Sequence, residues 1–207
     1  MDKTSKLFDT WAKSGRSEDM EKGHGTTVNQ FLEKLSIKQN FRFLDIGCGN
    51  GWVVRKMSQH PYCIKAIGID KSKMMIKNAK SKILSDKENY FVTDLETWKT
   101  KEKFDMIFSM ESLYYSVPME PALEKVFKIL KKDGIFYCGT DFYSDNTLTT
   151  RWIKDMNIPM DLRSEKEWKK MFKEIGFSTR SKHVTDPKNK SKWKRDFGTL
   201  FVIGRKP

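Results

Sequence analysis

Residues 41–52, FRFLDIGCGNGW, contain the motif that decides the fold. A mostly apolar run, typical of a buried strand, leads directly into glycines at positions 47, 49 and 51, and a helical stretch follows. Glycine allows a sharp turn and lets the backbone approach a ligand without a Cβ in the way. A dinucleotide-binding loop has the spacing G-x-G-x-x-G, but its last position is Trp52 here. The G-x-G-x-G spacing therefore predicts a nucleotide-cradling loop and argues against NAD.

Three aspartates lie where such a loop needs carboxylates. Asp70 ends the second predicted strand about 20 residues after the loop, where it can accept hydrogen bonds from both hydroxyls of a ribose. Asp94 follows the third strand and could accept from the exocyclic amine of adenine, and Asp45 could brace the loop or bind an amino group. Each has a structural alternative, as a helix cap, a turn residue and a loop brace respectively. The combination of all three with the glycine loop favours ligand binding.

Outward from this motif, short apolar runs alternate with helical patterns, as in a parallel sheet covered by helices on both faces. The strands are mostly apolar at consecutive positions, which is typical of strands buried on both sides. They are predicted at 41–46, 64–70, 89–93, 104–109 and 134–140. The fold class is therefore α/β, a doubly wound, Rossmann-like sheet.

The remaining segments are assigned around this core of residues 41–141. Residues 1–40 are predicted to form a helical cover, and 142–176 to hold an insertion and a helix that starts with a capping box at Ser164 and Glu167. The helix after Pro121 is expected to stop at Gly134. Residues 177–207 are predicted to form an antiparallel strand pair joined by a basic loop. Together these segments form one domain, 1–207.

Composition and charge narrow the function classes. The net charge is +13, and residues 165–207 hold 13 basic and five acidic residues. This charge could attract nucleic acid, anionic lipid or an acidic substrate, or simply solvate the surface. No apolar run is long enough for a membrane span, the charged N-terminus does not resemble a secretory signal, and the three cysteines lack metal or redox spacing. We therefore expect a cytoplasmic protein with reduced thiols and no metal site.

The ordered segments LDIGCGNG, GIDKSKMM, FVTDLE, FDMIFSMESL and LKKDGIFY resemble the motifs of class I S-adenosylmethionine-dependent methyltransferases. The resemblance covers residues 41–141 closely and the C-terminal strand pair loosely. It implies the strand order 3-2-1-4-5-7-6 with strand 7 antiparallel, and S-adenosylmethionine as cofactor. It further implies that the cofactor is bound by Asp45, Gly47, Cys48, Gly49, Gly51, Asp70, Lys71, Met75, Asp94, Leu95, Ser109 and Met110.

The methyl acceptor is less well defined. Segment 109–116, SMESLYYS, lacks the Pro-Pro and Pro-Cys motifs of DNA amino- and cytosine methyltransferases, so the resemblance favours a small-molecule acceptor bound between the cover and the insertion after strand five. Two alternatives stay open: an RNA or protein methyltransferase that docks through the basic C-terminal loop, and a non-catalytic cofactor-binding partner. The oligomeric state is not predicted. Candidate catalytic residues are His24, Glu111, Tyr114, Tyr115 and Tyr143, with Asp141 nearby.

Overall fold

The computed structural model describes residues 3–207, which form a seven-stranded sheet with helices on both faces. The strands are β1 (Phe41–Ile46), β2 (Cys63–Asp70), β3 (Glu88–Val92), β4 (Phe104–Met110), β5 (Leu130–Thr140), β6 (Ser178–Val184) and β7 (Thr199–Arg205). The helices are α1 (Lys3–Lys13), α2 (Arg16–Leu32), α3 (Trp52–Ser58), α4 (Lys73–Lys80), α5 (Glu120–Ile129), α6 (Trp152–Met156) and α7 (Glu165–Ile175). No helix in this described part is long and apolar enough to cross a membrane.

The sheet order is β3-β2-β1-β4-β5-β7-β6. Strands β1 to β5 pair in parallel, whereas β7 runs antiparallel to both β5 and β6. The predicted doubly wound fold and strand order are therefore confirmed. The carboxyl ends of β1, β2 and β4 meet at one edge of the sheet, on both sides of the point where the strand order reverses, and ligands of such sheets bind there.

Both faces of the central strands are buried, which explains their continuous apolar sequences. In β1, Leu44 and Ile46 belong to a core that also holds Trp168 and Phe172 of α7. The intervening Phe43 belongs to a second core on the opposite face, with side chains of α2, α3 and α4. Because successive strand residues point to opposite faces, a strand between two cores has apolar residues at every position.

Helix ends follow the predicted signals in one case and differ in another. The capping box is present, since Ser164 accepts from the Glu167 N–H while Glu167 accepts from the Ser164 N–H, and Gly176 ends α7 at φ +112°. Helix α5, however, ends at Ile129 rather than at Gly134, and β5 starts immediately. Gly134 lies inside that strand, where a Cβ would come within 2.9 Å of Leu130 Cγ. This glycine therefore serves close packing of the chain and does not end the helix.

The insertion after β5 packs against the C-terminal loop. Of residues 142–163, only α6 is helical. The Trp152 ring stacks on Phe142 at 6.2 Å and meets the edge of Trp193 at 5.8 Å, while Ile158 and Met160 are buried in the core beside α7. These contacts hold the insertion over the strand pair.

Candidate functional site

A cleft opens at the carboxyl ends of β1, β2 and β4, underneath helices α1 and α2. It encloses about 1080 Å³, the part open to solvent included. The strand ends contribute one wall, and the two N-terminal helices contribute the other through Thr4, Phe8, Ser17, Met20, Glu21 and His24. The N-terminal helices thus lie at the cleft, and their role as a cover stays a prediction.

The glycine loop between β1 and α3 forms the floor of this cleft. Its three glycines all have positive φ, +69° at Gly47, +52° at Gly49 and +80° at Gly51. A Cβ on Gly51 would lie 2.7 Å from the Tyr90 ring, whereas a Cβ on Gly49 would meet nothing within 4 Å. Gly49 lines the cleft, so the loop there presents bare backbone to open space, as a nucleotide-binding loop requires.

Asp70 stands at the end of β2 and faces the loop. Its Oδ2 accepts a hydrogen bond from the Gly49 N–H at 3.0 Å, and its Oδ1 accepts one from the Ser72 N–H at 2.8 Å. Burial raises the pKa of Asp70 to about 6, against the effect of these two donors. Each carboxylate oxygen retains a lone pair, so ribose hydroxyls that donate to Asp70 would stabilise its ionised form.

The other carboxylates of the cleft have different surroundings. Burial, followed by the charge of Asp70, raises the pKa of Asp45 well above its usual range, so a cationic amino group bound beside it would favour ionisation of this carboxyl and lower its pKa. Asp94 forms an ion pair with Lys71, whose Nζ lies 2.6 Å from Asp94 Oδ2. This pairing was not predicted, and it means that a ligand amine would share Asp94 with an ammonium group. Met75 and Leu95 also line this end of the cleft.

Two carboxylates that the sequence did not point to attach the cover to the cofactor site, one at the start of α4 and one at the glycine loop. On α1, Asp9 Oδ1 accepts from Ser72 Oγ at 2.5 Å and from the Met74 N–H at 3.1 Å, and so caps α4 from another helix. On α2, Glu21 accepts from Asn50 Nδ2 of the loop at 2.7 Å. The partners are separated by 29 to 65 residues along the chain, so no local pattern could have revealed them.

The candidate catalytic residues after β4 divide into two groups. Glu111 and Tyr115 line the cleft, whereas Tyr114 is 2% exposed and lies behind them. Glu111 accepts hydrogen bonds from the Asp141 N–H and, at 2.9 Å, from the Tyr114 hydroxyl. Burial and the charge of Asp141 raise the pKa of Glu111 to about 8. At neutral pH Glu111 therefore holds a proton, and the Tyr114 hydroxyl fixes its orientation.

His24 lies at the wall of the cleft in a buried charged cluster. Lys194 Nζ is 2.9 Å from His24 Nδ1 and 2.6 Å from Asp141 Oδ2, and Asp141 Oδ1 accepts from Thr199 Oγ1 at 2.6 Å. The same Thr199 Oγ1 lies 3.1 Å from the Thr27 hydroxyl of α2. Burial and the neighbouring ammonium lower the pKa of His24 to about 4, so the imidazole is neutral at physiological pH.

The side chains of the basic loop are predicted to be solvated, and for Lys194 this prediction is wrong. Lys194 is only 4% exposed, while Lys188, Lys190 and Lys192 are exposed. Nothing in the alternation of lysines along this loop distinguishes the buried one. The signal is tertiary, since the carboxylate that pairs with it lies at the end of β5.

Three expectations about the cleft are not met. The hydroxyl of Tyr143 donates to the carbonyls of Phe197 and Gly198, each at 3.2 Å, and this side chain packs under the strand pair. Ser109 is fully buried inside β4, so of the two residues predicted to contact the cofactor there only Met110 lines the cleft. No residue of the insertion 142–163 lines the cleft, because its aromatic side chains pack on the C-terminal loop.

Within residues 3–207, no group of three His, Cys, Asp or Glu could hold a metal ion.

Comparisons with known proteins agree with this geometry. Residues 17–182 match the family described as "Methyltransferase domain". The chain is 26% identical to the putative methyltransferase solved in complex with the Trm112 methyltransferase activator of Haloferax volcanii, with a TM-score of 0.91 and 97% of each chain covered. The N-methyltransferase NodS from Bradyrhizobium japonicum, solved with S-adenosylhomocysteine, shares the fold at 19% identity, TM-score 0.64, and 95% and 88% coverage.

Among curated relatives, the ubiquinone biosynthesis O-methyltransferase of Pelagibacter ubique is 36% identical over 107 residues, which are 49% of this chain and 42% of that enzyme. The chain spans between a third and about half of the length of this enzyme and of two further curated relatives. The family match covers most of the chain, and the glycine loop with Asp70 lies within it. The chain therefore belongs to the class I S-adenosylmethionine-dependent methyltransferases.

Proposed function

We propose that this protein transfers the methyl group of S-adenosylmethionine to a small-molecule acceptor. One observation carries the proposal. A single cleft brings together the glycine loop, Asp70 and Asp94, and the polar side chains Glu111, Tyr115 and His24, underneath two covering helices. The loop and the aspartates suit the nucleoside part of the cofactor, and the polar groups suit an acceptor next to it.

The bound cofactor supplies a methyl group on a sulfonium ion, which is already a strong electrophile. The protein's task is to position and desolvate the acceptor. Gly49 and Asp70 would hold the ribose, Asp94 the adenine amine and Asp45 the amino group. Glu111 holds a proton at neutral pH, and it becomes able to accept one from an acceptor hydroxyl only as the pH rises towards about 8.

The enclosure of the cleft supports a small acceptor. Helices α1 and α2 cover it; Asp9 attaches α1 to the start of α4 and Glu21 attaches α2 to the glycine loop, so a folded macromolecule would have to displace them. The exposed lysines of the C-terminal loop do not line the cleft. An RNA or protein acceptor stays an alternative outcome of the experiments below. A cytoplasmic location is also a proposal, supported by three free and buried thiols, Cys48, Cys63 and Cys138.

Calorimetry with S-adenosylhomocysteine, with NAD as the control ligand, tests the cofactor assignment. We expect binding of the first and none of the second. A screen of metabolite extracts for methyl transfer from labelled S-adenosylmethionine then tests the activity. Transfer to small molecules supports the proposal, and transfer to RNA or protein alone contradicts it. Tight cofactor binding without transfer to any acceptor favours a non-catalytic role.

We also propose that the chain binds a Trm112-type activator through strand β3. The solved relative from Haloferax volcanii was crystallised with such an activator, and the resemblance covers 97% of both chains. Strand β3 is an edge of the sheet and exposes Phe91 by 44% and Val92 by 46%, whereas the opposite edge, β6, carries Arg180 and Lys182. The charged residue of β3, Glu88, is buried, so apolar side chains are exposed at this edge, which is suited to pairing with another chain.

Co-expression with the Haloferax volcanii activator tests this second proposal. We expect the two proteins to co-purify and Phe91→Asp to abolish the complex. Val117, which is 55% exposed at a different site, provides the matched control Val117→Asp. Equal co-purification of wild type and Phe91→Asp would contradict the assignment to β3.

A further inference from the structure

The ammonium group of Lys194 is buried next to one ring nitrogen of His24. Lys194 belongs to the C-terminal loop, yet its side chain is only 6% exposed and reaches the wall of the cleft. There its Nζ contacts His24 Nδ1 at 2.9 Å and Asp141 Oδ2 at 2.6 Å. Three segments distant in sequence therefore contribute one residue each to a compact cluster: α2, the end of β5, and the loop before β7.

The chemistry of these groups decides where the imidazole proton resides. An ammonium group has three donors and no acceptor, so His24 Nδ1 has to be the acceptor of the contact at 2.9 Å. Asp141 Oδ2 lies 3.6 Å from the same nitrogen, too far for a hydrogen bond, and it already receives Lys194 at 2.6 Å. In the neutral ring the proton must then be on Nε2. Since His24 lines the cleft, Nε2–H is the group it has available for a ligand.

We propose that Lys194 is a positioning residue that holds His24 as an Nε2–H hydrogen-bond donor for a carboxylate oxygen of a ligand in the cleft. This arrangement is the reverse of a catalytic triad. In a triad a carboxylate at Nδ1 makes Nε2 a base, whereas an ammonium at Nδ1 makes Nε2–H a stronger donor. The inference rests on the proposed function only for the identity of the ligand.

The charged groups around His24 are consistent with this assignment. Lys194 and Asp141 form an ion pair and cancel each other's charge, while Glu111, attached to the Asp141 N–H, is protonated at neutral pH. The low pKa of His24 means that the imidazole stays neutral over the physiological range. A carboxylate bound there would therefore meet a donor whose protonation does not vary with pH.

The tautomer can be measured directly by ¹⁵N NMR of the side chains. The sequence has three histidines, His24, His60 and His183, so the signal of His24 is identified by its loss in His24→Gln. We expect wild-type His24 to be protonated at Nε2 and not at Nδ1 around neutral pH. In Lys194→Met the proton should move to Nδ1, towards Asp141, and the pKa of His24 should rise above its wild-type value because the neighbouring ammonium is gone.

Two further variants complete this test. Lys194→Arg should retain the wild-type tautomer, because guanidinium also lacks an acceptor. Lys188→Met, a change at an exposed position of the same loop, should leave the spectrum of His24 unchanged. A wild-type His24 protonated at Nδ1, or a Lys194→Met protein with the wild-type tautomer and titration, would overturn the proposal. The wild-type spectrum keeps the proposal testable even if Lys194→Met does not fold.

The carboxylate could come from the amino-acid part of the cofactor or from the methyl acceptor, and His24→Leu distinguishes them. If the cofactor supplies it, the variant should bind S-adenosylhomocysteine about tenfold more weakly and bind methylthioadenosine, which lacks the carboxylate, as wild type does. If the acceptor supplies it, both nucleosides should bind normally and the KM of the acceptor should rise about tenfold. His24→Gln, which retains a donor, should restore part of the loss.

Unchanged binding and unchanged KM in His24→Leu would overturn the role in recognition. Failure of wild-type protein to bind S-adenosylhomocysteine would contradict the proposed function, yet the tautomer measurement would still test the assignment of Lys194. The two failures are therefore distinguishable.

Discussion

Replacing Asp70 with alanine should separate its contribution to stability from its contribution to cofactor binding. Raising the pKa of this carboxyl from 3.8 to about 6 corresponds to a cost of up to about 3 kcal/mol for its ionised form in the folded protein. Between these pH values the folded protein binds more protons than the unfolded chain. The stability that wild type owes to this group is therefore present at low pH and lost as the pH rises through about 6.

Asp70→Ala removes that dependence. We subtract the free energy of unfolding of wild type from that of Asp70→Ala at each pH. This difference should be up to about 3 kcal/mol more favourable to the variant at about pH 7 than at about pH 4. Urea unfolding at the two pH values measures this shift. Asp86→Ala is the matched control, because Asp86 is exposed and does not line the cleft. A difference in stability between Asp70→Ala and wild type that is the same at both pH values would refute the reasoning.

The same variant should bind the cofactor product poorly. Two ribose hydroxyls that donate to an ionised carboxylate contribute about 1.5 kcal/mol each, so the loss is about 3 kcal/mol, or more than a hundredfold in Kd. Calorimetry with S-adenosylhomocysteine at about pH 8, where Asp70 is ionised, measures it. Wild-type affinity should itself weaken below about pH 6. A variant that binds as tightly as wild type would show that Asp70 does not hold the ribose.

Three further predictions concern the cover, the candidate base and the basic loop. Asp9→Ala removes the hydrogen bonds to Ser72 and Met74, and it should lower the free energy of unfolding by about 1 to 2 kcal/mol in urea titrations and weaken S-adenosylhomocysteine binding. Methyl transfer by wild type should increase as the pH rises through about 8, and Glu111→Gln should remove that increase in a pH–rate profile while retaining cofactor binding. Near-normal cofactor binding and methyl transfer are expected when Gln replaces the four accessible basic residues Lys188, Lys190, Lys192 and Arg195. A large loss of turnover there, reproduced in wild type by added salt, would instead favour a nucleic-acid acceptor.

The sequence predicts the parts of this protein that depend on local patterns. Continuous apolar runs identify the strands because a strand between two cores has no polar face, and the glycine spacing identifies a loop whose three positive φ angles favour glycine. Asp70 follows from its position at the end of β2. In each case the physical cause acts within a few residues of the signal.

Contacts between distant segments could not be predicted in this way. Lys194 is one of several similar lysines in its loop, and only the carboxylate of Asp141 explains why it is buried. Asp9 caps a helix that begins more than 60 residues later. The position of Tyr143 after β5 predicts a place near the reaction. In the structure, however, the Tyr143 hydroxyl faces the carbonyls of Phe197 and Gly198.

The hydrogen bond between Thr27 and Thr199 spans 172 residues, and the contact of His24 with Lys194 spans 170. At a synthesis rate of about 5 to 20 residues per second, these partners are synthesised roughly ten to thirty-five seconds after the covering helix α2. Until then Val28, Phe31 and Leu32 lack Phe201 and Ile203 of β7, which complete their core. This part of the cleft wall is therefore completed late in biosynthesis, and a ribosome stalled before residue 194 would hold a nascent chain whose α2 lacks its contacts with Lys194 and Thr199.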